Sequence, residues 1–128
     1  SRLAPVMGQV IAADVAREIV APPGHAASRR LTREAAEALA TARTQQSRGE
    51  LEASLLSYES AASLAPHSPA AWTGLGEALL RGVRAGWVDS GQGLARAQDA
   101  SRRALALEPE FPDAIELDAH LTRVRTSR

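Results

Sequence analysis

The chain has 128 residues, the length of one ordinary domain, and its 45 % hydrophobic and 23 % charged residues exclude a largely disordered or membrane-embedded chain. Arg supplies all 15 basic charges and Asp plus Glu supply 15, so the net charge is zero, which argues against nucleic-acid binding. The absence of Cys excludes disulfides, thiol nucleophiles and thiolate metal sites.

Composition also favours helix over strand. Ala, Leu and Arg dominate the chain, and aromatic residues make up only 3 % of it. Strands draw on β-branched and aromatic residues, whereas Ala, Leu and Arg are strong helix formers. We therefore expect an all-α domain.

The first 30 residues are predicted to form an N-terminal helix and a linker. Apolar residues at helical spacing predict a helix over about residues 5–21, with Pro5 in its first turn. Pro22 and Pro23 are expected to end this helix, and the small polar residues that follow predict a loop up to Arg30. The remainder, residues 31–128, is predicted to be one compact helical domain.

Five further helices are predicted from caps, Pro and Gly. They cover about residues 32–48, 50–64, 69 to 81 or beyond, 93–107 and 112–125. Ser68 followed by Pro69 is a strong helix start, because the hydroxyl can cap the helix and Pro is tolerated at its first position. Residues 82–93 contain four glycines and predict a loosened segment.

Two of these helical stretches repeat. Seven residues correspond to seven others 43 positions later: Leu51, Tyr58, Ala61, Leu64, Pro66, Pro69 and Ala71 to Leu94, Ser101, Ala104, Leu107, Pro109, Pro112 and Ala114. An earlier stretch is offset by 34 positions, since Ala38 and Ala42 precede Trp72 and Gly76 by that number. The difference predicts a nine-residue insertion, which we assign to residues 82–93.

A spacing of 34 residues with two helices in each unit resembles the tetratricopeptide repeat family. Trp72-x-x-Leu75-Gly76-x-x-Leu79 is similar to the family's first-helix pattern, with Leu79 where Tyr is commoner. Ala97, Ser101, Ala104 and Pro109 are similar to its second-helix positions, although Ser101 replaces the usual aromatic residue. The resemblance covers about residues 34–120. It implies a short α-solenoid of antiparallel helix pairs, with an additional N-terminal helix and the helix from Pro112 as a C-terminal cap.

The resemblance also implies a concave groove that is formed by the first helix of each pair and binds a peptide or a partner helix. Carrying its groove positions over by register gives nine candidate residues: Arg43, Gln46, Thr73, Glu77, Arg81, Asp113, Glu116, His120 and Arg123. The alternative interpretation is that these residues are the solvated faces of amphipathic helices.

Trp87 lies in the predicted insertion and is not explained by the repeat pattern. It is either an exposed binding anchor or, together with Val83 and Val88, a side chain that folds back over the edge of the helix pair.

No enzymatic function is predicted. The three histidines fall in a loop, a turn and a terminal helix, and no motif pairs them with a nucleophile. Asp113, Glu116 and His120 share helical spacing but lack a fourth ligand, so neither a metal site nor a cofactor is expected.

The function that these features favour is a protein-interaction module of a cytoplasmic bacterial regulatory or signalling protein, with a protein or peptide as partner and no nucleic acid or membrane contact. Two alternatives stay open. One is an architectural element that pairs two copies of the chain, and the other is a small-molecule sensor.

Overall fold

The structure is a computed structural model that describes residues 23–126, with the backbone alone for residues 23–29 and 31. These residues form five helices: α1 Pro23–Ser47, α2 Leu51–Leu64, α3 Pro69–Ala85, α4 Ser90–Leu107 and α5 Pro112–Thr126. Because the described residues contain no strand, the prediction of an all-α fold is confirmed. The chain divides into two compact units, Ser1–Arg33 and Glu34–Arg128, and the packing described below belongs to the second.

The N-terminal predictions have two outcomes. The helix expected over residues 5–21 lies outside the described residues. The loop expected up to Arg30 is wrong from Pro23 onward, because α1 begins there. Proline is tolerated at the first helical position, and the run of Ala, Ser and Arg that follows His25 can continue a helix.

Side-chain caps fix the starts of α3 and α4. The Ser68 hydroxyl accepts a hydrogen bond from the Ala71 N–H at 3.2 Å, which places Pro69 at the first helical position as predicted. The Asp89 carboxylate accepts from the Gln92 N–H at 2.9 Å, so α4 begins at Ser90, three residues earlier than expected. A carboxylate cap satisfies N–H groups that are otherwise left unpaired at a helix start, and this outweighs the low helix propensity of Gly91.

The segment between α3 and α4 is packed rather than loosened, so that prediction is wrong. The chain turns at Gly86, whose φ of +87° suits glycine, and the Gly82 carbonyl accepts from the N–H groups of Gly86, Trp87 and Val88 at 3.1–3.2 Å. A Cβ on Gly82 would overlap Val88 and lie 3.2 Å from Trp87 Cη2. Gly82 therefore permits close packing, and α3 continues past it to Ala85.

Consecutive helices pack against one another, and α3 contacts α2, α4 and α5. Leu79 of α3 and Leu121 of α5 are fully buried, and so are small residues such as Ala61, Ala97 and Ala104. Small side chains let neighbouring helices approach closely, while the leucines fill the remaining space. The C-terminal half of α1 joins the same core through Ala42.

Candidate functional site

Two cavities lie along α3 and share Glu77. We call the first, of about 170 Å³, the tyrosine cavity; its lining is Arg43, Gln46, Tyr58, Ala70, Thr73, Gly74, Glu77, Phe111 and Asp113. We call the second, of about 360 Å³, the arginine cavity; its lining is Glu77, Leu80, Arg81, Arg84, Glu116, Leu117, His120 and Arg123. All nine residues predicted from the repeat register line one cavity or both.

Three helices supply these nine side chains. Thr73, Glu77 and Arg81 follow one another at intervals of four along α3, so they lie on one face of the helix. The helix α5 contributes the four predicted residues from Asp113 to Arg123, and α1 contributes Arg43 and Gln46. The helix α5 packs against α3, and α1 contributes Ala42 to the same hydrophobic core. Side chains that are far apart in sequence therefore meet.

The tyrosine cavity is built around a buried ring. Tyr58 is 3 % exposed, and its hydroxyl donates to Gln46 Oε1 at 2.8 Å. Gly74 makes room for the ring, since a Cβ there would overlap Tyr58 and lie 3.0 Å from Cζ. Beside it, the Thr73 hydroxyl is buried and has no hydrogen-bond partner. A buried hydroxyl without a partner carries a desolvation penalty that a ligand group could relieve.

Glu77 is held between charges of both signs. Burial raises the pKa of its carboxyl; Arg81 lowers that pKa, Asp113 and Glu116 raise it further, and Arg43 opposes them. Burial likewise raises the pKa of the Tyr58 hydroxyl, and the nearby Glu77 carboxylate adds to this effect. The negative charge of Glu77 is therefore unfavourable in this position, and its protonation depends on charged side chains of both cavities.

This arrangement predicts that Glu77→Gln stabilises the fold more at pH 7 than at pH 4. Below the pKa of the unfolded chain both states are protonated and the group contributes nothing. As the pH rises toward the higher folded pKa, the unfolded state loses its proton first, so the free energy of unfolding of the wild type falls. Urea denaturation of wild type and variant across this pH range measures the difference.

Glu110→Gln is the matched control, because it removes the same charge from an exposed residue in the turn before α5. A stability gain for Glu77→Gln that does not change with pH would contradict the assigned role of burial.

The arginine cavity holds more hydrogen-bond donors than acceptors. The Nη1 atom of Arg81 is buried and has no partner. The guanidinium groups of Arg84 and Arg123 flank the His120 ring, Arg84 at Nε2 and Arg123 Nη2 3.4 Å from Nδ1. In the part of the chain that the structure describes, none of the three arginines forms an ion pair with Glu77 or Glu116.

Sequence reasoning missed several lining residues. The repeat pattern includes Tyr58 as a repeat position only, and the sequence analysis does not single out Leu80, Phe111 or Leu117. Arg84 had a usable signal, since it lies three residues after Arg81 and so falls on the same face of α3. Trp87 lines neither cavity: its ring lies beside Gly82, and 36 % of the residue is exposed.

The described residues also bear on metal and membrane binding. His, Asp and Glu side chains there form no group of three or more that could hold a metal ion. No helix among these residues is both long and apolar enough to cross a bilayer.

Comparison of the chain with protein-family models, with curated proteins and with solved structures gives no match.

Proposed function

We propose that residues 34–126 form a short stack of tetratricopeptide-type helical hairpins from a bacterial regulatory or signalling protein. The packing of α3 supports this, because it contacts its neighbours in sequence and also α5, the next first helix in the repeat register. A Cβ on Gly76 would lie 2.7 Å from Leu117 Cδ2 on α5 and 3.2 Å from the Ala97 carbonyl oxygen on α4. Glycine at this position thus serves two helix contacts at once, as stacked hairpins require.

The function that this stack would perform is binding of a peptide segment along α1, α3 and α5. The observation that carries the proposal is that nine residues chosen from the repeat register line two cavities joined at Glu77. The Thr73 hydroxyl and Arg81 Nη1, both buried and unpartnered, are groups that a bound peptide could pair. The proposed role is non-covalent and assigns no catalytic step to the chain.

Selection of peptides from a random displayed library on the full 128-residue chain, followed by calorimetry, tests the proposal. Glu77→Arg places a longer side chain at the point where the two cavities join, and it is expected to weaken a selected peptide about tenfold or more, because it obstructs the groove between Thr73 and Arg81. Glu52→Arg makes the same change on an exposed face of α2 and should leave binding unchanged. Circular dichroism confirms that both variants are folded.

Two results would contradict the proposal. One is a selection that yields no binding peptide. The other is a set of peptides that bind Glu77→Arg as tightly as the wild type. Sedimentation across a range of concentrations addresses the architectural alternative, since a groove receptor stays monomeric whereas a pairing element doubles its mass.

A further inference from the structure

The arginine cavity has fewer hydrogen-bond acceptors than donors. Arg81, Arg84 and Arg123 each carry five N–H donors, and the imidazole of His120 touches two of these groups. A neutral imidazole has one acceptor nitrogen, so it can satisfy only one of the two guanidiniums. Arg81 Nη1 is buried without any acceptor. A buried donor without a partner is unfavourable, and a carboxylate, which has about four lone-pair sites, would relieve it.

The charge balance also favours an anion here and not in the tyrosine cavity. The arginine cavity has three arginines against Glu77 and Glu116, which leaves one positive charge in excess. The tyrosine cavity has Arg43 against Glu77 and Asp113, which leaves one negative charge in excess. An anionic group is therefore expected to enter at the Arg81 end of the groove and to avoid the Thr73 end.

The apolar wall of the arginine cavity suits a carboxylate on a short hydrocarbon stem. Leu80 and Leu117 line it and are only 6 % and 5 % exposed. They offer contact to methylene groups and keep water from one side of the guanidiniums, which strengthens an ion pair formed there.

We propose that the arginine cavity selects an Asp or Glu side chain of an extended partner segment and holds its carboxylate on Arg81, an inference that rests on the peptide groove proposed above. Thr73 and Arg81 are eight residues apart on one face of α3, which corresponds to about 12 Å along the helix. An extended peptide advances about 3.3 Å per residue. The segment therefore reaches the Thr73 hydroxyl with a polar group about three or four residues from its acidic side chain.

A single carboxylate matches the cavity better than a phosphate group. One negative charge neutralises the excess positive charge, whereas a phosphate of nearly two charges would leave the site negative beside Glu77 and Glu116.

Two measurements on the full chain test the inference. The first is an NMR titration of the arginine Nε–H signals with N-acetyl-glutamate N-methylamide, its glutamine analogue and inorganic phosphate. We expect the glutamate compound alone to shift the Arg81 signal saturably, with smaller shifts of the neighbouring Arg84 and Arg123 signals, and all three shifts to persist in Arg102→Gln. In Arg81→Gln, which has no Arg81 signal, the Arg84 and Arg123 signals should no longer shift. Arg102 is exposed on α4 and lines neither cavity, so it is the matched control. Arg81→Lys is a second variant that keeps the positive charge, and it should bind more weakly than the wild type.

The second measurement uses peptides selected from the library, acetylated and amidated so that they carry no terminal charge. They should share one acidic position, and its replacement by the amide should weaken binding about tenfold or more. That loss should disappear in Arg81→Gln and remain in Arg102→Gln.

The outcomes separate the two proposals. Peptides that bind without an acidic preference, or whose preference survives Arg81→Gln, overturn the carboxylate site while the peptide groove stands. A saturable Arg81 shift with the glutamate compound but no selected peptide supports the carboxylate site and overturns the peptide groove. Tighter binding of phosphate than of the glutamate compound also overturns the carboxylate assignment.

Discussion

Replacing Leu79 by Ala should lower the free energy of unfolding by about 3 kcal/mol. Leu79 is fully buried in the middle of α3, the helix that contacts α2, α4 and α5. Its removal loses the transfer free energy of the buried methyl and methylene groups and leaves a cavity that three surrounding helices can fill only in part. Urea denaturation followed by far-UV circular dichroism measures the change.

Leu56→Ala is the matched control, because it makes the same chemical change on α2 at a residue that is 65 % exposed. It should alter the free energy of unfolding by less than about 0.5 kcal/mol. Similar losses for the two variants would show that the core is not centred on α3, and the account of the site would fail with it, because Thr73, Glu77 and Arg81 are positioned by the same helix.

The helices could be read from the sequence wherever the signal was local. Ser68 followed by Pro69 predicted the start of α3, and Pro112 predicted the start of α5. The effect of the glycines was predicted wrongly, because glycine can either loosen a chain or permit close packing. At Gly82 and Gly93 the absence of a side chain lets Val88 and Val83, respectively, come into close contact. These contacts form between side chains that meet only after the chain has turned.

The nine candidate residues could be chosen from the register, because a repeat fixes which helix faces point the same way. The burial of their polar atoms could not be predicted from the register. The unpartnered hydroxyl of Thr73 and the unpartnered Nη1 of Arg81 result from the approach of side chains on other helices, which no spacing within α3 reveals. The raised pKa of Glu77 has the same origin, since burial is its largest cause.

Ser101 departs from the repeat pattern, and a second residue, Leu117, differs in the opposite direction. The large Tyr58 lies against the small Gly74, and the residues 43 positions later are the small Ser101 and the large Leu117. Ser101 is fully buried, and its hydroxyl donates to the Gln98 carbonyl at 3.0 Å. The two stretches that repeat 43 residues apart therefore carry a large and a small residue in opposite order at these two positions.

Gly74→Ala tests how tightly the tyrosine cavity is built, and it should destabilise the fold by about 2 kcal/mol. The added Cβ would overlap the ring of Tyr58, which is almost fully buried and hydrogen-bonded to Gln46, so the ring has little room to move. Alanine has a higher helix propensity than glycine by about 1 kcal/mol, and this gain offsets only part of the overlap. Chemical denaturation of wild type and variant measures the net change.

Gly91→Ala is the matched control within the first turn of α4, where the nearest atom to an added Cβ is Asp89 Oδ2 at 3.5 Å. It should stabilise the fold by up to about 1 kcal/mol, because the helix propensity gain meets no overlap. Tyr58→Ala separates the overlap with the ring from the gain in helix propensity. In that background Gly74→Ala should no longer destabilise the fold, since the ring that the new Cβ overlaps is gone. Stabilisation by Gly74→Ala in the wild-type background would contradict the close contact between Gly74 and Tyr58, and with it the shape assigned to the Thr73 end of the groove.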